Sequence, residues 1–171
     1  MAQINGVYLG KTRDGYPVYD REHTHIHYEC GINKKLLNVA LSYMYANGAK
    51  FKKKEIHFRD EIGYNNCIPV TSSDEVVYVY RKGRMGTTPM VKGRLPEACK
   101  SMVVIIRKDK DYPNCYRLVT SFVGVDSVKE PWDVTIRTEE ERRVSEQFWS
   151  THALVYNPDL IDWERTKLGE S

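Results

Sequence analysis

The sequence is short of the features that usually disclose a function. Its four cysteines, Cys30, Cys67, Cys99 and Cys115, form no CxxC pair, and their spacing matches no zinc module. Thiols scattered in this way read as reduced, and the start Met1-Ala2-Gln3-Ile4-Asn5-Gly6 has no basic region followed by an apolar run. A cytoplasmic protein is the expectation. Long hydrophobic runs are missing too. The longest strongly apolar stretch is Met102 to Ile106, against the roughly 20 residues a membrane span needs, so no membrane partner is expected. The sequence has no GxSxG, no HExxH, no GxGxxG after a strand and no GxxxxGK[ST], and no cysteine has the context of a thiol protease. Serine hydrolases of the elbow type, zinc proteases, dinucleotide enzymes and nucleotide P-loops are therefore not indicated. No internal repeat or low-complexity tract is present.

What remains is an ordinary globular composition with local peculiarities. The 171 residues are 41% hydrophobic and 29% charged, enough for one domain or a domain with an appendage. The length is too small for an ordinary barrel enzyme. The net charge is only +3, but it is unevenly spread. Residues 1–125 carry 20 Lys/Arg against 12 Asp/Glu, whereas residues 126–171 carry 6 against 11. A basic body beside an acidic segment suits a nucleic-acid or phosphate partner. Twelve tyrosines fit either wet binding surfaces or sheet faces.

Periodicity predicts a hairpin from Val7-Tyr8-Leu9 and Tyr16-Pro17-Val18-Tyr19 around a turn at 11–15. Leu36, Leu37, Val39, Ala40, Tyr43 and Met44 form an apolar stripe, which predicts a helix over 32–47 with Asn33 as cap and Gly48 as stop. Residues 55–58 suggest a short strand, 64–73 a loop, and Glu75 to Tyr80 a strong strand. Five glycines and prolines interrupt 81–96, where no long regular element is expected. Ser101–Arg107 and Tyr116–Val123 read as two strands joined by a turn. Thr138 with Glu141 is a capping box, opening a helix to about Thr151, and Leu160, Ile161 and Trp163 offer a docking clasp. The expected architecture is α+β: an antiparallel sheet packed by the N-terminal-half helix, in a core domain of residues 1–125. Residues 126–171 form a C-terminal helical appendage.

The most unusual feature is the alternating run His23, His25, His27, which a strand would place on one face. Histidine titrates near neutrality and serves as acid, base or metal ligand. A metal site needs further ligands, for which Glu22, Glu29, Cys30 and His57 are candidates. Structural histidines fit the pattern equally well. Two groups of basic residues accompany them. Lys50, Lys52, Lys53 and Lys54 form a run, and Arg81, Lys82, Arg84, Lys92 and Arg94 lie in a glycine-rich stretch without an acidic residue. Glycine admits backbone amides to a phosphate and arginine grips it bidentately. Solvated loops share that composition. Thr88 follows the glycines, and Thr120-Ser121 sits near the end of a predicted strand; such hydroxyls hold phosphate or orient an attacking group.

The stretches Val119-Thr120-Ser121-Phe122-Val123-Gly124, Glu130-Pro131-Trp132-Asp133, Ser145-Glu146-Gln147-Phe148-Trp149 and His152-Ala153-Leu154-Val155 resemble a pattern in poorly characterised bacterial, plasmid and phage proteins. An early histidine segment, a helix, then strands ending in this "VTSFVG" also resemble the barnase–EndoU–colicin–RelE superfamily of small metal-independent ribonucleases, many of them toxins. The resemblance implies RNA held across a small sheet, no cofactor, and a possible antidote or host-protein partner. It matches His23, His25 or His27 to the early histidine, Arg84 or Arg94 to the phosphate-holding positions and Thr120 or Ser121 to the late-strand polar residue. The assignment expected on chemical grounds is His25 as base, His23 as acid or orienter, Arg84 and Arg94 on the phosphate, and Thr88 and Thr120 as hydrogen-bonding supports. Lys52, Lys53, Lys54, Arg81 and Lys82 would hold nucleic acid. The chemistry requires a base for the 2′-OH, an acid for the leaving 5′-oxygen and cations for the developing charge. Two other readings stand beside it: a non-catalytic nucleic-acid- or host-protein-binding protein of a mobile element, and a metal-dependent hydrolase built on the histidines.

Overall fold

A computed structural model describes residues 4–21, 24–26, 31–124 and 128–166. In chain order the elements are β1 (Val7–Lys11), β2 (Pro17–Asp20), β3 (His25–Ile26), α1 (Lys34–Leu41), β4 (Phe51–His57), β5 (Gly63–Asn65), β6 (Cys67–Pro69), β7 (Glu75–Tyr80) and β8 (Thr87–Lys92). They continue with β9 (Glu97–Cys99), β10 (Ser101–Lys108), β11 (Tyr116–Val123), α2 (Glu139–Thr151), β12 (His152–Val155) and a 3-10 turn at Pro158–Leu160. The fold is α+β, mostly sheet. The chain divides into two compact units, Met1–Asn65 with Ala98–Asp126, and Asn66–Glu97 with Ser127–Ser171. Residues 66–97, which the sequence suggested as part of a 1–125 core, cluster with the C-terminal segment instead.

The first unit is built on a six-stranded sheet ordered β1-β2-β11-β10-β4, with β3 also paired to β11. It is mixed rather than purely antiparallel, because β2 and then β3 lie parallel to β11 along one side of it. One face is apolar. Met102, Val104 and Ile106 of β10, and Tyr116, Leu118 and Val123 of β11, share a buried cluster with Leu37, Ala40 and Leu41 of α1. Cutting a fully buried leucine such as Leu41 to Ala costs about 2–5 kcal/mol.

The helix α1 is shorter than its apolar stripe predicts. Asn33 caps it, its side chain accepting from the Leu36 amide at 2.8 Å. Past Ser42 the amides of Tyr43 and Met44 bond back to the Ala40 and Leu41 carbonyls in tighter turns, and two later amides go to another segment. The Asp14 carboxylate, in the β1–β2 turn, accepts from the amides of Ala46 at 3.0 Å and Asn47 at 2.7 Å. Asn47 (φ 55°) and Gly48 (φ 71°) then turn the chain toward β4 in left-handed backbone. Burial raises the Asp14 pKa, but these amides and the Thr12 hydroxyl outweigh it and hold the carboxyl below its ordinary value.

The second unit is a four-stranded mixed sheet ordered β6-β12-β8-β7. Ile68, Val91 and Ala153 form one small core, and Val79, Met90 and Ile161 another. Ile161 of the expected clasp is fully buried and bridges to Arg81. Three expectations change here. Residues 64–73 hold β5 and β6. The stretch 81–96 contains β8, in which β12 pairs only with Met90 and Val91, leaving Pro89 outside the doubly flanked part. The appendage expected to be helical also holds a strand: α2 ends at Thr151, as predicted, and His152–Val155 continues as β12, extended at its first residue. Thr138 caps α2, accepting from the Glu141 amide at 3.1 Å.

Candidate nucleic-acid interface

Alternation along paired strands decides which residues share the face of the first sheet that lies opposite the core. His25 is the register partner of Thr120, Thr120 of Ile105, and Ile105 of Lys53. One row therefore crosses β3, β11, β10 and β4. At strand spacing the row is about 14 Å long. It joins three residues selected from sequence: His25, Thr120 and Lys53. Thr120 is half-buried and Lys53 exposed. The neighbouring Ser121 faces the core, fully buried, and its hydroxyl donates to the Val103 carbonyl at 3.0 Å. Thr24 ties the start of β3 to the sheet, its hydroxyl donating to the Leu118 carbonyl at 2.8 Å. His23 and His27, with Glu22, Glu29 and Cys30, lie outside the described residues.

The basic run divides between the two faces of the sheet. Lys52 and Lys54 pair in register with Ile106 and Val104, both buried in the core. They therefore belong to the core side of the edge strand β4, and only Lys53 joins the opposite face. That face gains cations which sequence reading passed over. Arg107 of β10 and Arg117 of β11 are direct partners. A bulge in the β10–β11 ladder, between Ile105 and Ile106, lets Arg117 and Thr120 share a face although three positions apart. Finding them required the register; a basic residue directly after the apolar run Met102–Ile106 was the only signal for Arg107.

The remaining sequence-selected residues belong to the second unit. The Arg81 guanidinium donates to the Glu130 carboxylate at 2.7 Å and to the Thr88 hydroxyl at 3.0 Å. Thr88 is fully buried, and the Arg81 and Glu130 side chains are 21% and 7% exposed. Arg94 donates to both oxygens of Asp74, at 3.2 and 3.1 Å, and approaches Glu97 at 3.7 Å. Arg81, Arg94 and Thr88 thus serve internal contacts. Lys82 and Arg84 are exposed in the β7–β8 turn, where Arg165 donates to the Arg84 carbonyl at 2.7 Å. Burial, and then the Glu130 charge, push the Cys67 thiol up to about 11, so it is protonated at neutral pH.

His57 sits between two partners on β4 and β10. Its Nδ1 lies 2.8 Å from the Ser101 hydroxyl and its Nε2 3.3 Å from the Glu55 carboxylate. Four positions along β4 separate it from Lys53, about 13 Å, so it lies outside the His25 row. Among the described residues no group of three or more His, Cys, Asp or Glu is placed to hold a metal, and no helix is long and apolar enough to cross a membrane.

Comparison with known proteins leaves this geometry to stand by itself: no family model matches the chain, and neither a curated protein nor a solved structure matches it.

Proposed function

We propose that the protein is a ribonuclease that binds RNA across the non-core face of the first sheet and cleaves it without a metal. The observation that supports this reading is the register row His25–Thr120–Ile105–Lys53. A histidine, a threonine and a lysine occupy register positions of one row across the sheet. In this scheme His25 takes the 2′-OH proton. The 2′-oxygen attacks phosphorus, the 5′-oxygen leaves with a proton, and a 2′,3′-cyclic phosphate remains. His23 supplies the proton for the leaving oxygen. Thr120 donates a hydrogen bond to the phosphate. Lys53, about 14 Å from His25, serves a neighbouring phosphate rather than the scissile one.

A second reading is favoured by the arginines on the same face. Arg107 and Arg117 supply phosphate contacts without any histidine chemistry, as a non-catalytic binder requires. Incubation of the purified protein with total RNA, with and without EDTA and beside a His25→Ala variant, separates the two. Cleavage that survives EDTA and disappears in the variant supports the nuclease. Retained cleavage in a folded His25→Ala protein removes His25 from the mechanism. RNA that is bound and never cut favours the binder.

A further inference from the structure

A second register row runs beside the first. Tyr19 of β2 pairs with Arg117, Arg117 with Arg107, and Arg107 with Phe51 of β4. Phe51 and Lys53 are two apart on β4, and Arg107 and Ile105 two apart on β10, so both rows lie on the same face. The core-side partners agree, since Val18 and Tyr116, one position earlier, are register partners and fully buried. The order across the sheet is aromatic, arginine, arginine, aromatic.

This row is unfavourable for folding alone. Like charges directly opposite each other on adjacent strands destabilise a sheet. Neither guanidinium has a carboxylate partner among the described residues. The same unit does pair arginine with acid elsewhere, as in Arg21 with Asp109. At the outer end Phe51 is 51% exposed. At the inner end Tyr19 meets Tyr8 edge-to-face at 5.5 Å, which fixes its ring. An anion between the guanidiniums relieves the repulsion, and a flat π-face covers Phe51.

We infer that this row binds the backbone and bases of a single-stranded nucleic acid, and that it selects single strands over duplexes. Arg107 and Arg117 hold one phosphate, while Phe51 and Tyr19 stack unpaired bases on either side. Duplex bases are already stacked and cannot reach the rings, so a double strand gains only the phosphate contact. The inference places the strand on the face proposed above for RNA cleavage and rests on that reading for the choice of RNA. It does not require catalysis.

The test measures affinity of the full chain for a fluorescent 12-nucleotide single-stranded RNA and its duplex, in EDTA, with His25→Ala as background so that turnover cannot interfere. Single-strand binding should exceed duplex binding at least tenfold. Arg107→Ala should weaken it about tenfold and flatten its salt dependence. Phe51→Ala should weaken single-strand binding at least fivefold and leave duplex binding unchanged, while Phe51→Trp should retain it. Equal affinity for both RNA forms, or wild-type affinity in a folded double variant Arg107→Gln/Arg117→Gln, overturns the inference. If the wild-type protein never cleaves RNA but these binding results hold, the nuclease reading fails and the binding row stands. If it cleaves RNA and the arginine variants bind normally, the row fails and the nuclease stands.

Discussion

Arg81 and Glu130 form an ion pair at 2.7 Å in which the carboxylate is 7% exposed. Its other oxygen is buried without a hydrogen-bond partner. The pair joins the start of the β7–β8 turn to the segment before α2. Such a pair is weak evidence for net stability, but removing one partner leaves a buried charge. Arg81→Ala should therefore destabilise the second unit by about 3–5 kcal/mol. Arg84→Ala, three residues on and exposed, should stay within about 0.5 kcal/mol of the parent. Urea unfolding followed by tryptophan fluorescence reads both. An Arg81→Ala protein as stable as the parent would show that water satisfies Glu130.

The Glu-Pro-Trp stretch has a second function in that unit. Trp132 donates to the Thr87 carbonyl at 3.1 Å, and its ring covers Gly86 so closely that an added Cβ would lie 2.2 Å from Trp132 Cγ. Gly86 is therefore required for space, not for backbone freedom. Gly86→Ala should cost about 1–3 kcal/mol, the usual range for overpacking. Gly86→Ala combined with Trp132→Ala should recover part of that loss, because the clash goes with the ring. A melting temperature unchanged in Gly86→Ala would mean that the indole moves away at little cost.

These contacts explain what could be read from the sequence and what could not. Local signals were sufficient where one segment decides its own structure. The strand Glu75–Tyr80 has the expected bounds, and Asn33 and Thr138 both cap helices. Long-range competition was invisible. Nothing in the stripe from Leu36 to Met44 announces that the chain tightens after Leu41 and that Asp14 takes the amides of Ala46 and Asn47 beyond it. Nothing in His152-Ala153-Leu154-Val155 shows that Cys67–Pro69 and β8 wait to pair with it. The site divided in the same way. His25, Thr120 and Lys53 were selectable by residue type, whereas Arg107 and Arg117 are recognised only once the register and the bulge are known. Thr88 and Arg81 had the right chemistry but are used on each other.

The Arg21–Asp109 bridge predicts an acid-sensitive first unit. Burial raises the Asp109 pKa, but the Arg21 guanidinium and the amides of Asp111 and Tyr112 outweigh it, so the folded value is depressed. A depressed carboxyl contributes stability that is fully present above its unfolded pKa, near 3.9, and is lost as pH falls through the folded value. Asp109→Asn should therefore be less stable than the parent at neutral pH, and the gap should close below about pH 3.9. Denaturant midpoints measured between neutral pH and acid test this. A gap that stays constant into acid would assign the loss to packing or hydrogen bonding instead of charge.

Adjacent lysines give the sharpest test of the face assignment. Lys53 and Lys54 are identical in type, both exposed and one peptide apart. Lys53 pairs with Ile105 on the face opposite the core, and Lys54 with Val104, a core residue. If RNA lies across the non-core face, only Lys53 contacts its phosphates. Lys53→Ala should lower the slope of log affinity against log salt by about 0.7, the share of one phosphate on a single strand. Lys54→Ala should leave that slope unchanged. The distinction cannot arise from net charge, which both variants reduce equally. Equal slopes in the two variants would mean that the run acts as a diffuse basic patch along the sheet edge, and that the strand does not track the register row.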